Sequence, residues 1–424
     1  MFRNNVLFKN NRSGKISKYV IILAVIVLVI VVVIFFYAMY LEKKAYRPPV
    51  ETTHSNDADI ADAGANAVTG VMIGKTAGTS EKNSSASVSA IVPENKQNAS
   101  QVPNRIPSES LQVPTENTGG SINQELELYF CPKENCEQVF ISKIQKATKA
   151  RCALYDLDSK GLIAAFKAMQ DKGQLTLLLE KDNMKDAKEA KLVFSSDKNS
   201  NLMHHKFCVL DDQFIITGST NPTNNDFNKN NNNMFIIESK TLAANYDKEL
   251  DYLFESAYSK ERTQTTEVVI NGNTYRNYFC PRDSCREHVL AELKYAQESI
   301  HFMTFSFTDN SIGDLIVQKH NAGLNVSGVM ERKQIDDWSE YRKLKRNGVN
   351  VLIDGNKYNL HDKVFIIDGK TVITGSYNPT DSGTKRNNEN ILVINNAAVA
   401  KRFISEFNYI YDEATRMNIS LTDD

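Results

Sequence analysis

Aromatic side chains are absent from a long stretch of this 424-residue chain, because residues 47–127 contain no Phe, Trp or Tyr. Ala, Ser, Thr, Asn, Gly and Pro dominate that stretch, so it cannot bury enough apolar surface to offset the entropy lost on ordering. This absence argues against a folded domain, although a small cryptic domain is an alternative. We expect residues 42–122 to form a disordered linker.

Charge is absent from a second segment, residues 19–41, which reads YVIILAVIVLVIVVVIFFYAMYL. An uncharged apolar segment of this length can span a bilayer. Lysines and arginines are more frequent before it than after it, which favours a cytoplasmic N-terminus, and no clear small-x-small cleavage site follows it. The sequence therefore predicts a cytoplasmic tail at 1–18, an uncleaved signal anchor at 19–41, and a remainder that lies outside the cytoplasm.

A positive net charge is also lacking, since the formal charge of the chain is −1. The part that follows residue 122 is slightly acidic. This balance argues against a protein whose affinity rests on coating duplex DNA phosphates. A local basic cleft is still compatible with it.

Cysteine is scarce, with six in the chain and none in the C-x2-C spacing of zinc knuckles. A C-x4-C spacing occurs twice, at Cys131 and Cys136 and again at Cys280 and Cys285. Outside the cytoplasm, two local disulfides are the favoured interpretation. A shared four-cysteine zinc site and free thiols are the alternatives. Cys152 and Cys208 lie in apolar strand candidates, and we interpret them as small core residues.

What the sequence does contain is a long internal repeat. LYFCPKENCEQVF (128–140) returns as NYFCPRDSCREHVL (277–290), and HHKFCVLDDQFIITGSTNPT (204–223) returns as HDKVFIIDGKTVITGSYNPT (361–380). Between them lie helical patterns and short apolar runs rich in β-branched residues, which predict an α/β fold. We expect two pseudo-symmetric halves, 123–262 and 263–424, each a mixed β-sheet flanked by helices.

Both copies keep the pattern H-x-K-x4-D-x6-G-S-x-N without a change in spacing. Residues at i and i+2 of a strand share one face, so each histidine lies beside its lysine, and each serine beside its asparagine. An imidazole can attack or protonate, and lysine, serine and asparagine can bind phosphate oxygens. Two facing sets would hold one phosphodiester without a metal. The candidates are His204, Lys206, Ser219 and Asn221 in the first copy, and His361, Lys363, Ser376 and Asn378 in the second.

The aspartates of the pattern have a simpler interpretation. Asp211 opens DDQ and Asp368 opens DGK, which are hairpin-turn sequences. We favour a turn role for both, with orientation of the catalytic side chains as an added role. His205 points to the other strand face and is replaced by Asp362 in the second copy, so we interpret it as non-catalytic.

The duplicated H-x-K-x4-D pattern resembles the signature of the phospholipase D superfamily, and the resemblance covers residues 125–424. GSYNPT followed by NNEN is similar to nuclease-type members such as endonuclease Nuc, with Pro379 where an aromatic residue is usual. The resemblance implies one active site between the halves, a covalent phosphohistidine and no required metal or other cofactor. Since the halves are fused, a monomer should suffice.

The two copies differ at one position that the resemblance makes important. Glu389 in the second copy is matched by Asn232 in the first. In nuclease-type members this acid supports the histidine of its own half, so we expect Glu389 beside His361, raising its pKa. We therefore predict that His204 is the nucleophile and His361 the general acid. Decay of the first copy is the competing interpretation.

The leading functional prediction is a membrane-anchored phosphodiesterase that acts on single-stranded nucleic acid. Four basic residues in loops around the second copy could line its cleft or be ordinary surface charge: Lys333, Lys357, Lys385 and Arg386. The alternative is a phospholipid-directed phospholipase D or phosphatidyltransferase, which the membrane anchor favours. A catalytically silent scaffold is a third possibility, against which the two intact motifs count.

Overall fold

The computed structural model describes residues 120–123, 126–198, 200–255 and 267–420. The predicted cytoplasmic tail, the membrane span and nearly all of the predicted linker lie outside these residues. The described residues begin with a strand at Gly120–Asn123, so regular structure starts slightly before the predicted end of the linker. Within the described residues, no helix is both long and apolar enough to cross a membrane.

The first half forms an eight-stranded mixed sheet in the order β1-β2-β8-β7-β6-β3-β4-β5. Its strands are β1 (Gly120–Asn123), β2 (Leu126–Cys131), β3 (Ala150–Leu154), β4 (Leu175–Leu179), β5 (Ser195–Ser196), β6 (Lys206–Leu210), β7 (Phe214–Gly218) and β8 (Asn232–Glu238). The helices are α1 (Cys136–Lys146), α2 (Lys160–Gln170), α3 (Lys185–Glu189), α4 (Asn224–Asn228) and α5 (Lys240–Glu255).

The second half repeats this arrangement in an eight-stranded sheet ordered β13-β12-β11-β14-β15-β16-β10-β9. Its strands are β9 (Glu267–Ile270), β10 (Asn273–Cys280), β11 (Ser299–Thr304), β12 (Asn325–Met330), β13 (Asn350–Ile353), β14 (Lys363–Ile367), β15 (Thr371–Gly375) and β16 (Glu389–Asn395). The helices are α6 (Cys285–Tyr295), α7 (Asn310–Asn321), α8 (Tyr341–Arg346), α9 (Asp381–Lys385) and α10 (Ala397–Ser420). The prediction of two mixed sheets flanked by helices is confirmed.

Helices α5 and α10 tie the two sheets into one core. The Phe403 ring of α10 lies 5.0 Å from Phe130 and 5.9 Å from Phe235, both in the first sheet. In the same way, the Tyr246 ring of α5 lies 5.0 Å from Phe279 in the second sheet. Burial of large aromatic side chains on both sheets provides the main driving force for holding the halves together. The start of β6 and the start of β14 are thereby brought face to face.

Local sequence signals set the ends of the helices behind each sheet. Ser159 caps α2 by accepting a hydrogen bond from the Leu162 amide, and Asp309 caps α7 by accepting from Ser311 and Ile312. The inward faces carry buried apolar residues at helical spacing, such as Leu162 and Phe166.

Candidate active site

The two histidine–lysine pairs meet in one buried site. His204 and His361 are 7% and 8% exposed, and Lys206 and Lys363 are each 3% exposed. Each histidine is anchored by the opposite half: the His204 amide donates to the Asn388 carbonyl and the His361 amide to the Asn231 carbonyl, both at 2.9 Å. The site therefore exists only because both halves contribute to it.

Each lysine turns back on its own histidine. The Lys206 ammonium donates to the His204 carbonyl at 2.7 Å, and the Lys363 ammonium donates to the His361 carbonyl at 2.6 Å. Burial lowers the pKa of Lys206 to about 7 and that of Lys363 to about 8. An anionic phosphate would favour the charged form of both amines, so substrate binding and lysine protonation reinforce each other.

Glu389 contacts the histidine of the opposite half, which corrects the pairing expected from the sequence. Its Oε2 lies 2.9 Å from His204 Nδ1, and it accepts a hydrogen bond from the Ser376 hydroxyl at 2.6 Å. The prediction that Glu389 lies beside His361 is wrong, because β16 delivers this side chain across the boundary between the halves. Matching positions in the two repeats therefore do not make matching contacts within one half.

His361 is held by a different set of residues. Asn232 Oδ1 lies 2.9 Å from His361 Nδ1, and Asp226 Oδ2 lies 3.3 Å from the same nitrogen. Asp226 is fixed by the side-chain amides of Asn221, at 2.8 Å, and Asn230, at 2.6 Å. His361 thus also has a carboxylate partner, supplied from α4 rather than from the position of Asn232.

Sequence reasoning missed Asp226, although the repeat contains a signal for it. Aligning TNNDFN after the first motif with TDSGTK after the second places Asp226 opposite Gly383. The half with Asn232 in place of the glutamate carries Asp226, whereas the half with Glu389 carries Gly383. This exchange argues against decay of the first copy, because both histidines keep a nearby carboxylate.

Burial and a nearby carboxylate shift the pKa of each imidazole in opposite directions. Burial lowers the pKa of His204 to about 4, and Glu389 opposes this effect. Burial also lowers the pKa of His361, and Asp226 opposes it. With an acceptor at each Nδ1, we assign the proton of each neutral ring to Nδ1, which leaves Nε2 available for chemistry.

The serines and asparagines of the motif mainly support the histidines' partners. The Ser219 hydroxyl donates to Asn232 Oδ1 at 3.0 Å, as Ser376 does to Glu389. Asn221 holds Asp226, and Asn378 Oδ1 accepts from the Ser306 amide at 3.4 Å. Both serine hydroxyls thus position the side chains that contact the histidines, whereas the sequence predicted that these hydroxyls bind phosphate.

The motif aspartates lie at the other end of their strands. Asp211 has a positive φ of 52° and accepts from the Thr148 and Lys149 amides. Asp368, with the same φ, accepts from the amides of Gln297, Glu298 and Ser299. These contacts support the turn role for both aspartates, whereas the added role of orienting the catalytic side chains has no contact to support it among them.

His205 lies on the opposite strand face, as expected from alternation. It is fully buried, and its Nε2 lies 3.1 Å from Glu249. Its counterpart Asp362 accepts from the side-chain amide of Asn233 at 2.6 Å. These residues belong to the polar layer beneath the site.

All six cysteines lie in the described residues, and all are paired. Disulfides join Cys131 to Cys136 and Cys280 to Cys285, as the favoured prediction has it. The alternative of a shared zinc site does not agree with these bonds. Cys152 and Cys208 lie in the core, as expected, but they also face each other on β3 and β6 and form a third disulfide that the sequence did not predict.

Comparison with known proteins is consistent with this architecture. A family model described as "Cardiolipin synthase, PLD-like domain" matches residues 140–254 and 289–411, together more than half of the chain. A "Phospholipase D" of Rickettsia bellii (strain RML369-C) is 32% identical over 130 residues, which cover 30% of this chain and 65% of that relative.

Two solved structures are also similar to this chain. The phospholipase D family member Nuc from Salmonella typhimurium is 28% identical, with a TM-score of 0.32 over 33% of this chain and 95% of Nuc. Phosphatidylserine synthase of Haemophilus influenzae Rd KW20 is 14% identical, with a TM-score of 0.53 over 68% of this chain and 86% of the synthase. The second similarity concerns the fold alone.

Proposed function

Because this chain belongs to the phospholipase D superfamily, with two copies of its PLD-like domain, we propose that it hydrolyses single-stranded nucleic acid through a covalent phosphohistidine. It is a phosphodiesterase by family. The observation that carries the mechanism is the meeting of both histidine–lysine pairs in one buried site.

In the proposed mechanism, His204 attacks and His361 acts as the general acid. Nε2 of His204 forms a bond to phosphorus, while the bond to the leaving oxygen breaks and that oxygen takes the Nε2 proton of His361, which enters the step as the doubly protonated imidazolium. Water then gives a proton back to His361 and attacks phosphorus, which releases His204. Lys206 and Lys363 stabilise the charge on the phosphoryl oxygens.

The partners of the two rings support this division of roles. Attack places positive charge on the nucleophilic ring, which favours the histidine whose Nδ1 contacts a carboxylate at 2.9 Å, His204. The general acid must carry a proton before it reacts, and the Asp226 carboxylate, 3.3 Å from His361 Nδ1, favours that protonated form. Glu389 thus supports His204 as the nucleophile instead of His361 as the acid, and the assignment of roles is unchanged.

The surroundings of the histidines favour a polar, polymeric substrate. Asn230, Asn231 and Asn388 lie next to the site in the amide-rich segments that end at β8 and β16. A lipid acyl chain needs a continuous apolar surface, and the exposed large apolar residues among those described are scattered along the chain. A phospholipid substrate is the second candidate, favoured by the name of the Rickettsia relative.

We further propose that residues 19–41 anchor the chain in a bilayer, with the catalytic part outside the cytoplasm and active as a monomer. The three disulfides support an oxidising compartment. Adding a protease to intact cells would test the side, because the chain that follows residue 41 should then be cut. Survival of the whole chain until the cells are lysed would contradict it.

The substrate test uses the full chain in detergent, with EDTA, and labelled single-stranded DNA, single-stranded RNA or cardiolipin vesicles. We expect cleavage of a single strand and, in His361→Ala, accumulation of an acid-labile phosphoryl adduct. Lipid turnover without nucleic-acid cleavage would refute the proposed substrate. An adduct that persists in His204→Ala would refute the proposed nucleophile, and loss of activity in EDTA would refute the metal-free mechanism.

A further inference from the structure

We infer that Tyr358, with the lysines around it, forms a nucleotide-binding subsite on the His361 side of the active site. This inference rests on the proposed function and specifies where a single strand is held. Its ligand class is an unpaired base with the adjacent phosphate. The subsite consists of Tyr358, Lys229, Lys333 and Lys357.

The geometry of this cluster suits both parts of a nucleotide. Tyr358 is 39% exposed, and the ammonium groups of Lys229 and Lys357 each lie 5.5 Å from the centre of its ring. Lys333 Nζ donates to the Tyr358 carbonyl at 3.1 Å and to Asn359 Oδ1 at 2.7 Å. An accessible aromatic ring can stack on any base, and ammonium groups beside it attract the backbone phosphate.

Short backbone connections join the cluster to the reacting groups. The Asn231 amide donates to the Asn359 carbonyl at 2.9 Å, and the His361 amide donates to the Asn231 carbonyl at 2.9 Å. Tyr358 precedes His361 by three residues, which at the rise of extended chain corresponds to about 10 Å. That distance is comparable to one or two nucleotides of an extended strand, so a base on Tyr358 and a phosphate at His361 can belong to the same molecule.

The pseudo-symmetric halves provide an internal comparison. Glu331 accepts from the Leu360 amide and Glu180 from the Met203 amide, each at 2.7 Å, which aligns the two loops. With this alignment, Lys333 corresponds to Asp182, Lys357 to Ser200 and Tyr358 to Asn201. Only Lys229 has a basic counterpart, Arg386.

The stacking and charged groups are therefore concentrated at one end of an otherwise symmetric site. Repetition of the motif explains why both halves carry the histidine–lysine pair. It does not explain why only the second half carries the aromatic ring and the additional lysines. A one-sided subsite gives a strand a fixed direction. Since His361 is the proposed general acid, the nucleotide on Tyr358 is the leaving group.

Binding is measured on the full chain carrying His204→Ala, which prevents turnover, with a fluorescein-labelled oligothymidylate and fluorescence anisotropy. We expect Tyr358→Ala to weaken binding about tenfold, since a stacked base contributes about that factor. Tyr358→Phe should bind like the parent, and this also reports on folding. The matched control is Asn201→Ala, at the corresponding position of the first half, which should leave binding unchanged. Lys333→Ala should reduce the salt dependence of log Kd by about 0.7.

Equal binding by the parent and Tyr358→Ala, or equal weakening by Asn201→Ala, would overturn the subsite. Loss of affinity for cardiolipin vesicles in Tyr358→Ala, with oligothymidylate binding unchanged, would overturn it in favour of a lipid surface. If the wild-type chain binds oligothymidylate through Tyr358 but does not cleave it, the subsite stands and the proposed function fails.

Discussion

Asp226→Asn tests the least expected contact of the site, the carboxylate that α4 provides to His361. The substitution keeps the shape of the side chain and removes its charge, and it replaces one of the two oxygens that accept from Asn221 and Asn230 with an NH2 group. Asp226 Oδ2 lies 3.3 Å from His361 Nδ1. At that distance two opposite unit charges attract by about 5 kcal/mol at an effective dielectric constant near 20.

The expected effect is smaller than this attraction, because Lys363 and Lys206 oppose protonation of His361 in both variants. Loss of a neighbouring carboxylate lowers the pKa of an imidazolium by about one to three units. The alkaline limb of kcat, where the general acid loses its proton, should therefore move to lower pH by about one to two units. At pH 8, kcat should fall by about tenfold to hundredfold, and it should recover as the pH is lowered.

The assay is a pH profile of kcat with a single-stranded oligonucleotide. Asn232→Glu in the Asp226→Asn background returns a carboxylate to the position that Glu389 occupies in the other half, with Ser219 placed to donate to it. We expect this double variant to regain the alkaline limb. Asp381→Asn, which removes an exposed acid of α9 paired with Lys385, is the matched control. A uniform loss of kcat without a shift of the limb would refute the electrostatic role of Asp226.

Two further predictions follow from contacts that only the folded chain shows. Glu389→Gln should slow formation of the phosphohistidine by about a hundredfold or more, because the ring of His204 loses the carboxylate charge that stabilises it in the adduct. Single-turnover trapping measures this rate. A defect confined to hydrolysis of the adduct would contradict the prediction. Replacing both Cys152 and Cys208 by Ala should lower the free energy of unfolding by about 4 kcal/mol, since the disulfide closes a loop with a sequence separation of 56. Urea unfolding measures this change, and an unchanged midpoint would contradict the prediction.

Several details of the site could be predicted from local sequence alone. Asp211 and Asp368 were expected in hairpin turns because turn chemistry depends on a few adjacent residues. The placement of His204 beside Lys206, and of His205 on the other face, follows from the two-residue period of a strand. The C-x4-C disulfides link residues that are near each other in the chain whatever the fold.

Other features depended on distances between segments that lie far apart in the sequence. Cys152 and Cys208 meet only because β3 pairs with β6. Glu389 reaches His204 because the Asn388 carbonyl accepts from the His204 amide across the boundary between the halves. Neither contact follows from a periodicity or a residue spacing within one segment, so a sequence pattern does not predict it.

The sequence by itself determined the repeated α/β architecture, the superfamily and the two histidine–lysine pairs, because a duplicated motif with constant spacing encodes them locally. Only the tertiary structure decided which carboxylate supports which histidine. Packing of α5 and α10 between the two sheets brings the ends of β8 and β16 against the opposite halves, so that Asp226 and Asn232 support His361 while Glu389 supports His204.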